Sequence, residues 1–375
     1  MNFNSEKFNS DTSEILERAA KCEKISEKDG IALMNLTNSN DILNLGIAAD
    51  RIRKQKVGDI VSFVLNLHIN YTNTCISKCE FCAYYKDKED KGGYVLSVNE
   101  ILEMIKKAKQ ISNITEVHIV GALNPEISAE YYEDILKEIR KNFPDLAIKA
   151  FTATEIFFIA KKNKSSVKEI LERFKDAGLN FMPGGGAEIL NDEIRAKICP
   201  NKIKSDEWLN VMETAHKLNI KSNATMLYGH IESSGDRIRH ILKLRDLQKK
   251  TNGFLGFIPL SFHPKGTKLD KERIVKMPVS GIEDLKVIAV SRILLNNFDS
   301  VMAYWVMMGK NLAQVALHYG ANDFDGTVGK ENITYSAGKI SERSAGIDEL
   351  KNLIKGAGRI PAIRTTDYKI IEILE

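Results

Sequence analysis

Apolar positions along the chain follow two alternating rhythms. Short runs rich in Val, Ile and Phe, the pattern of buried strands, alternate with longer stretches in which apolar residues recur at the three- and four-residue spacing of amphipathic helices. The strand pattern covers VSFVLNLHIN ending at Asn70, EVHIV ending at Val120, LAIKAF ending at Phe151 and LNFM ending at Met182. It continues with KSNATML ending at Leu227, GFIPLSF ending at Phe262, SVMAYWV ending at Val306 and FDGTV ending at Val328. Helical patterns such as NEILEMIKKAKQ, VKEILERFKDAG and RIRHILKLRDLQKK lie between them. This alternation predicts an α/β chain closed as a (β/α)8 barrel of the TIM type. Residues 11–57 carry only helical spacing, as in SEILERAAK and SNDILNLGIAADRIRK, with Asp41 placed to cap the second helix. The expected organisation is a helical N-terminal extension over 1–57, the barrel over 58–330, and a C-terminal helix and tail packing on the barrel over 331–375.

Composition narrows the class. With 375 residues, 43% hydrophobic and 28% charged, the chain can bury a sizeable core. The net charge is +4 and its Lys and Arg are scattered among Asp and Glu, which argues against nucleic acid as a partner. No basic segment followed by an apolar run opens the chain, and no stretch of membrane-spanning length occurs, so a cytoplasmic protein without membrane contact is expected. Three of the five cysteines are clustered, which favours metal binding over a disulfide framework.

The segment NYTNTCISKCEFCAYY directly follows the first strand. Cys75, Cys79 and Cys82 therefore fall on the first βα loop, at the face where barrel active sites gather. Four thiolates saturate a cubane cluster, whereas three leave one iron open to an outside ligand. Zinc would call for a fourth ligand and usually a second Cys pair, and neither is present. Cys22 and Cys199 lie outside the motif and read as small buried hydrophobes.

This CxxxCxxC loop resembles that of the radical S-adenosylmethionine (SAM) superfamily. The resemblance implies a [4Fe-4S] cluster whose open iron binds SAM, one-electron cleavage to a 5'-deoxyadenosyl radical, and a reducing partner such as flavodoxin or ferredoxin. Phe81 occupies the aromatic position that in the superfamily packs near adenine. Further stretches, among them EVHIVGALNPEISAEYY, IKAFTATEI, MPGGGAEIL, SNATMLYGHIES, FIPLSFHPKGT and GAGRIPAIRTTDY, resemble aminofutalosine synthases of the futalosine route to menaquinone. That implies a transferase adding the adenosyl radical to 3-[(1-carboxyvinyl)oxy]benzoate, with aryl migration and decarboxylation, to form 6-amino-6-deoxyfutalosine. The dehypoxanthine futalosine cyclases and the FO-synthase modules of deazaflavin synthesis share the loop and barrel and stand as the runner-up. A non-catalytic iron-sulfur protein is the alternative of another class. One departure is Gly121-Ala122-Leu123-Asn124-Pro125, where the family usually has a second glycine. Gly121 is retained for close backbone approach to the methionyl amine of SAM.

Other candidates lie at the ends of the predicted strands. Glu155 is either a holder of the SAM ribose or a first-turn carboxylate favoured by the helix dipole. Gly184, Gly185 and Gly186 precede AEILNDEIRAKI, as an anion-binding turn opening a helix or a plain tight turn. Asn223 and Thr225 share a strand face, with Asn223 assigned to cofactor binding. Tyr228, His230 and Glu232 follow at the strand end, and His230 and Glu232 are the expected catalytic pair, for carboxylate binding or a late proton transfer. His263 is equally a turn residue or a site residue, Tyr304 and Trp305 read as core, and His216 and His318 as structural.

Overall fold

The computed structural model describes residues 10–21, 23–327, 332–336 and 344–375, so Cys22 and Val328 lie outside the described residues. The strands are β1 (Ile60–Val64), β2 (Asn66–Ile69), β3 (Glu116–Ile119), β4 (Ala147–Ala150), β5 (Phe181–Met182), β6 (Lys221–Tyr228), β7 (Phe254–Ser261), β8 (Ser300–Val301) and β9 (Asp323–Gly326). From β2 to β8 they run in parallel, neighbour to neighbour in sequence order. The first predicted strand is present as two halves, β1 and β2, parted at Leu65. Between β1 and the chain just past β8 lies β9, paired in parallel with β1 and bridged to Met302 through Asp323. Ala303 N donates to Asp323 O at 2.9 Å and Thr327 N to Val64 O at 3.2 Å, which closes the ring. The expected α/β barrel is therefore the observed architecture.

Helices cover the outside, including Val98–Ser112, Val167–Ala177 and Ser234–Thr251. Each begins at a serine that accepts from the backbone three residues on, while a carboxylate there reaches back: Ser97 with Glu100, Ser166 with Glu169, Ser233 with Asp236. Each such box satisfies amide hydrogens that helix geometry leaves unpaired.

Two local expectations fail for identifiable reasons. The run SVMAYWV is extended only over Ser300–Val301, and Trp305–Met308 forms a helical turn. An apolar run does not distinguish strand from buried helix, and here the indole Nε1 of Trp305 donates to Gly326 O at 3.0 Å, holding the turn against β9. Nor does Asp41 cap a helix. The Ser39–Val57 helix starts two residues earlier, and Asn38 accepts from Asn40 N at 2.8 Å and Asp41 N at 3.2 Å.

The N-terminal helices Glu27–Met34 and Ser39–Val57 pack against the barrel helices Ser234–Thr251 and Gly281–Leu294, and Ser10–Ala20 packs on those two N-terminal helices. Lys286, buried in that seam, donates to Met34 O at 3.0 Å and Leu36 O at 3.2 Å. At the other end the tail forms the helix Ile347–Gly356 and a hairpin of β10 (Ile360–Arg364) and β11 (Ile370–Ile373), with β10 parallel to β1. Arg364 and Tyr368 turn inward from this hairpin. The Arg364 guanidinium grips Asp323 with two bonds, at 2.6 and 2.9 Å, and lies 3.8 Å from the Tyr368 ring centre. Among the described residues no helix is long and apolar enough to cross a membrane.

Candidate active site

The cysteine loop, the turns after β3, β4 and β5, and the inner faces of β6 and β7 enclose a cavity of about 320 Å³. It runs from Cys75, Cys79 and Cys82 at the mouth to His68, His118 and Asp325 deeper in the barrel. The loop is pinned by backbone bonds: Cys75 N to Lys86 O at 3.1 Å, Ile76 N to Leu123 O at 3.0 Å and Glu80 N to Ile198 O at 2.8 Å. All three thiols are free and border the same cavity. Burial pushes Cys79 up to about 12 against the pull of Lys202, and raises Cys82 as well. A buried thiol held back from ionising is released as a thiolate when an iron ion binds it, because the metal charge dominates locally. Among the described residues no three Cys, His, Asp or Glu side chains converge tightly enough to chelate one ion. A cubane is different, since each thiolate takes its own iron, and the three-thiol loop at an open cavity fits it.

The expected cofactor residues Phe81, Gly121, Glu155 and Asn223 all line this cavity. Gly121 is required sterically, because a Cβ there would sit 2.5 Å from the Tyr71 ring. Its amide donates to Glu155 Oε1 at 3.0 Å, which also accepts from Tyr71 OH at 2.7 Å. Glu155 Oε2 accepts from the Thr152 amide and hydroxyl at 2.8 and 2.7 Å. Burial raises the Glu155 carboxyl despite these bonds. The first-turn role is thus present in full, and Glu155 ties the turn after β3 to the turn after β4. Asn223 lies deeper, its Nδ2 donating to Tyr368 OH at 2.9 Å.

His230 and Glu232 are brought together but not to the cavity. Both side chains are fully buried, with His230 Nδ1 2.9 Å from Glu232 Oε2. Glu232 also accepts from Gly229 N at 2.6 Å and Arg237 Nε at 2.7 Å, while His230 Nε2 faces Leu227 O at 3.1 Å. Burial opposes the Glu232 charge, but His230 and Arg237 outweigh it and hold the carboxyl down at about 2. These groups brace the turn after β6. Tyr228 also points away, to Asp284 at 2.6 Å.

The glycine turn does not open a helix either. The next helix is Asp192–Ile198, capped by Asn191, because the chain first winds through Glu188 at φ 45°. Carbonyls of the turn accept from Thr225 Oγ1 at 2.7 Å, Trp208 Nε1 at 3.2 Å and Arg195 Nη2 at 3.2 Å, which pins the turn against β6 and the helices that follow it. His263 and Tyr304 line the cavity, whereas Trp305 is core. His216 is structural, bonded to Ser222 and Thr251 at 2.8 Å, and His318 is exposed. Cys199 is buried as expected.

Sequence reasoning missed Lys202, the one cation among the described lining residues. Its ammonium is 2.5 Å from Glu188 and 5.1 Å from the Phe81 ring centre. Burial works against this charge, but Cys79 and Glu188 raise its proton affinity overall. It also missed His68, His118 and Asp325, whose strand positions carry no local signal of a site.

Comparison with known proteins narrows the family. Residues 69–245 match the radical SAM superfamily and residues 251–375 the CofH/MqnC C-terminal region. The chain is 43% identical over 353 residues to the 5-amino-6-(D-ribitylamino)uracil–L-tyrosine 4-hydroxyphenyl transferase of Methanocaldococcus jannaschii, spanning 93% of this chain and 98% of that one. The chain belongs to this radical SAM transferase family. The enzyme of the same name from Methanothermobacter thermautotrophicus is 39% identical, over 96% of this chain and 98% of its own. Among solved structures, methylornithine synthase superposes with a TM-score of 0.73 at 19% identity over 93% and 97% of the two chains. The hydrogenase maturase HydG gives 0.74 at 15% over 95% and 77%; at such identities the likeness is one of fold.

The family uses a [4Fe-4S] cluster and SAM, and acts on a small molecule with an external reductant. The relatives overturn the expected aminofutalosine synthase, and with it the enolpyruvyl benzoate substrate and the menaquinone route. The reason is physical: much of what carried that resemblance builds the cluster loop and cavity rim, which belong to the radical SAM framework and do not specify the second substrate. The runner-up, an FO-synthase-type enzyme, fits the relatives better.

Proposed function

We propose that this chain transfers the 4-hydroxyphenyl-bearing part of L-tyrosine to 5-amino-6-(D-ribitylamino)uracil, in the deazaflavin-forming branch of the superfamily. The observation that carries the reading is the near full-length identity to transferases of that name, 98% of the Methanocaldococcus jannaschii chain being covered. Cys75, Cys79 and Cys82 hold the cluster, which with bound SAM supplies the 5'-deoxyadenosyl radical. Phe81, Gly121 and the Glu155 bracket shape the mouth for SAM. Lys202, paired with Glu188, meets carboxylate groups there, where exclusion of water strengthens each charge contact. His230 and Glu232 act by bracing the turn after β6. The reductant is a flavodoxin- or ferredoxin-like carrier, and the setting cytoplasmic. The division at residues 57 and 330 belongs to this proposal, with the tail sealing the barrel's lower end.

The test is anaerobic reconstitution with iron and sulfide, followed by dithionite, SAM, ring-labelled tyrosine and the ribitylaminouracil. The expected product carries both the ring label and the pyrimidine mass. Formation of 5'-deoxyadenosine without such an adduct overturns the reading.

A further inference from the structure

The closed end of the cavity is built from polar groups that the chemistry at the cluster loop does not use. His68 on β2, His118 on β3 and Lys149 on β4 occupy one rung of the parallel sheet. The two imidazole rings lie 4.4 Å apart and both border the cavity. Lys149 is committed elsewhere, its ammonium 2.7 Å from Glu116 Oε1 in a fully buried pair. Asp325 enters from β9, 3.9 Å from His68 Nε2.

Burial, reinforced by Lys149, holds His68 at about 3 and His118 well below its ordinary value, so both rings are neutral. A neutral imidazole offers one donor and one acceptor. His118 uses neither: its Nδ1 is buried without a partner, and its ring forms no hydrogen bond among the described residues. The surface the ring retains faces the cavity. Buried polar atoms are normally satisfied, so an unmet imidazole on a cavity wall marks where a ligand supplies the partner.

The charge balance selects the ligand. Lys149 is tied to Glu116 and Arg364 to Asp323, which leaves no free cation at this depth among the described residues. An amino-acid head group buried here would lose its hydration without a counter-ion for its carboxylate, at high cost. Hydroxyl groups both donate and accept, and so complement neutral imidazoles and a carboxylate without importing charge. We propose that His68, His118 and Asp325 form a subsite for a polyhydroxy chain, the ribityl arm of the pyrimidine acceptor. This rests on the transferase reading above and adds which end of which substrate enters the barrel first.

Steady-state kinetics with two acceptors tests it: the ribitylaminouracil and 5,6-diaminouracil, the same ring without the arm. The wild-type protein is expected to show a KM about tenfold lower for the ribityl compound, the worth of one or two well-made hydrogen bonds. His118→Leu should raise that KM about tenfold, while the KM for 5,6-diaminouracil and for tyrosine stays within about twofold. His118→Gln, which keeps a donor and an acceptor, should recover part of the loss. Equal rises for both acceptors, or a shift confined to tyrosine, overturn the subsite while leaving the transferase reading standing. Absence of any adduct with wild-type protein overturns that reading and the subsite with it. The wild-type preference needs no variant, so equal KM values for the two acceptors overturn the subsite even where His118→Leu does not fold.

Discussion

Asn223 donates from Nδ2 to the hydroxyl of Tyr368 at 2.9 Å, which joins an inner strand of the barrel to the C-terminal tail. Through this bond a residue seven positions from the chain end supports Asn223, which lines the active-site cavity. The hydroxyl would also lie 2.8 Å from a Cβ at Gly256, so the glycine on β7 makes room for it.

Removing that bond should be modest and removing the ring severe. Tyr368→Phe is expected to cost about 1 kcal/mol of unfolding free energy, the usual net worth of a hydrogen bond. Tyr368→Ala should cost about 3–5 kcal/mol, because it opens a void next to the Arg364 guanidinium. Urea unfolding of the two variants checks the ratio, and equal losses would contradict the tail's role as a plug.

The buried pair of Glu116 and Lys149 makes a sharper prediction. Each side chain is almost wholly inaccessible, at 0% and 3% exposure. Lys149→Met strands a buried carboxylate and should lower stability by about 3–5 kcal/mol. Adding Glu116→Met should restore much of it, since the two apolar chains need no desolvated charge. A double-mutant cycle by chemical denaturation measures the coupling.

Cluster content separates the cysteines. Substituting Cys75, Cys79 or Cys82 by Ser should abolish iron and labile sulfide incorporation, whereas Cys199→Ala should retain both. Cys199 is buried at the end of the Asp192–Ile198 helix and borders no part of the cavity. Iron and sulfide assays with the visible absorbance of the reconstituted protein decide this.

Acid sensitivity follows from histidines buried in neutral form. Burial holds His68 and His240 at about 3 and His216 at about 4, against 6.5 in an open chain. Below pH 6.5 the unfolded chain binds protons that the folded chain refuses, so stability is present above that pH and falls as the pH drops towards 4. Each histidine contributes a slope of about 1.4 kcal/mol per pH unit in this window. His216→Gln should therefore flatten the decline between pH 6 and 4.5, measured as the urea midpoint at each pH. A decline of unchanged slope would contradict the assignment of His216 as a neutral buried bridge.

The cysteine spacing and the alternation of strand and helix segments were legible because each is a local pattern: a loop motif, and short apolar runs set between stretches of helical spacing. His230 and Glu232 lie outside the cavity lining, a placement that no local pattern carries. Their polar types at a strand end suggested a site, yet the turn at Gly229 and the reach of Arg237 commit both inward. Lys202 carried no motif and reaches the cluster loop only because the chain after the Asp192–Ile198 helix folds back beneath it.

The sequence by itself determined that a three-thiolate loop stands at the mouth of an α/β barrel, since covalent spacing and periodicity are properties of neighbouring residues. Only the tertiary structure decided what lies at the far end of that barrel. His68, His118, Lys149 and Asp325 are distant along the chain, and the parallel register that sets the first three on one rung is chosen by the packing of the whole sheet. Burial then removes their solvent, fixes which of them are charged, and turns scattered polar residues into a surface that can discriminate between ligands.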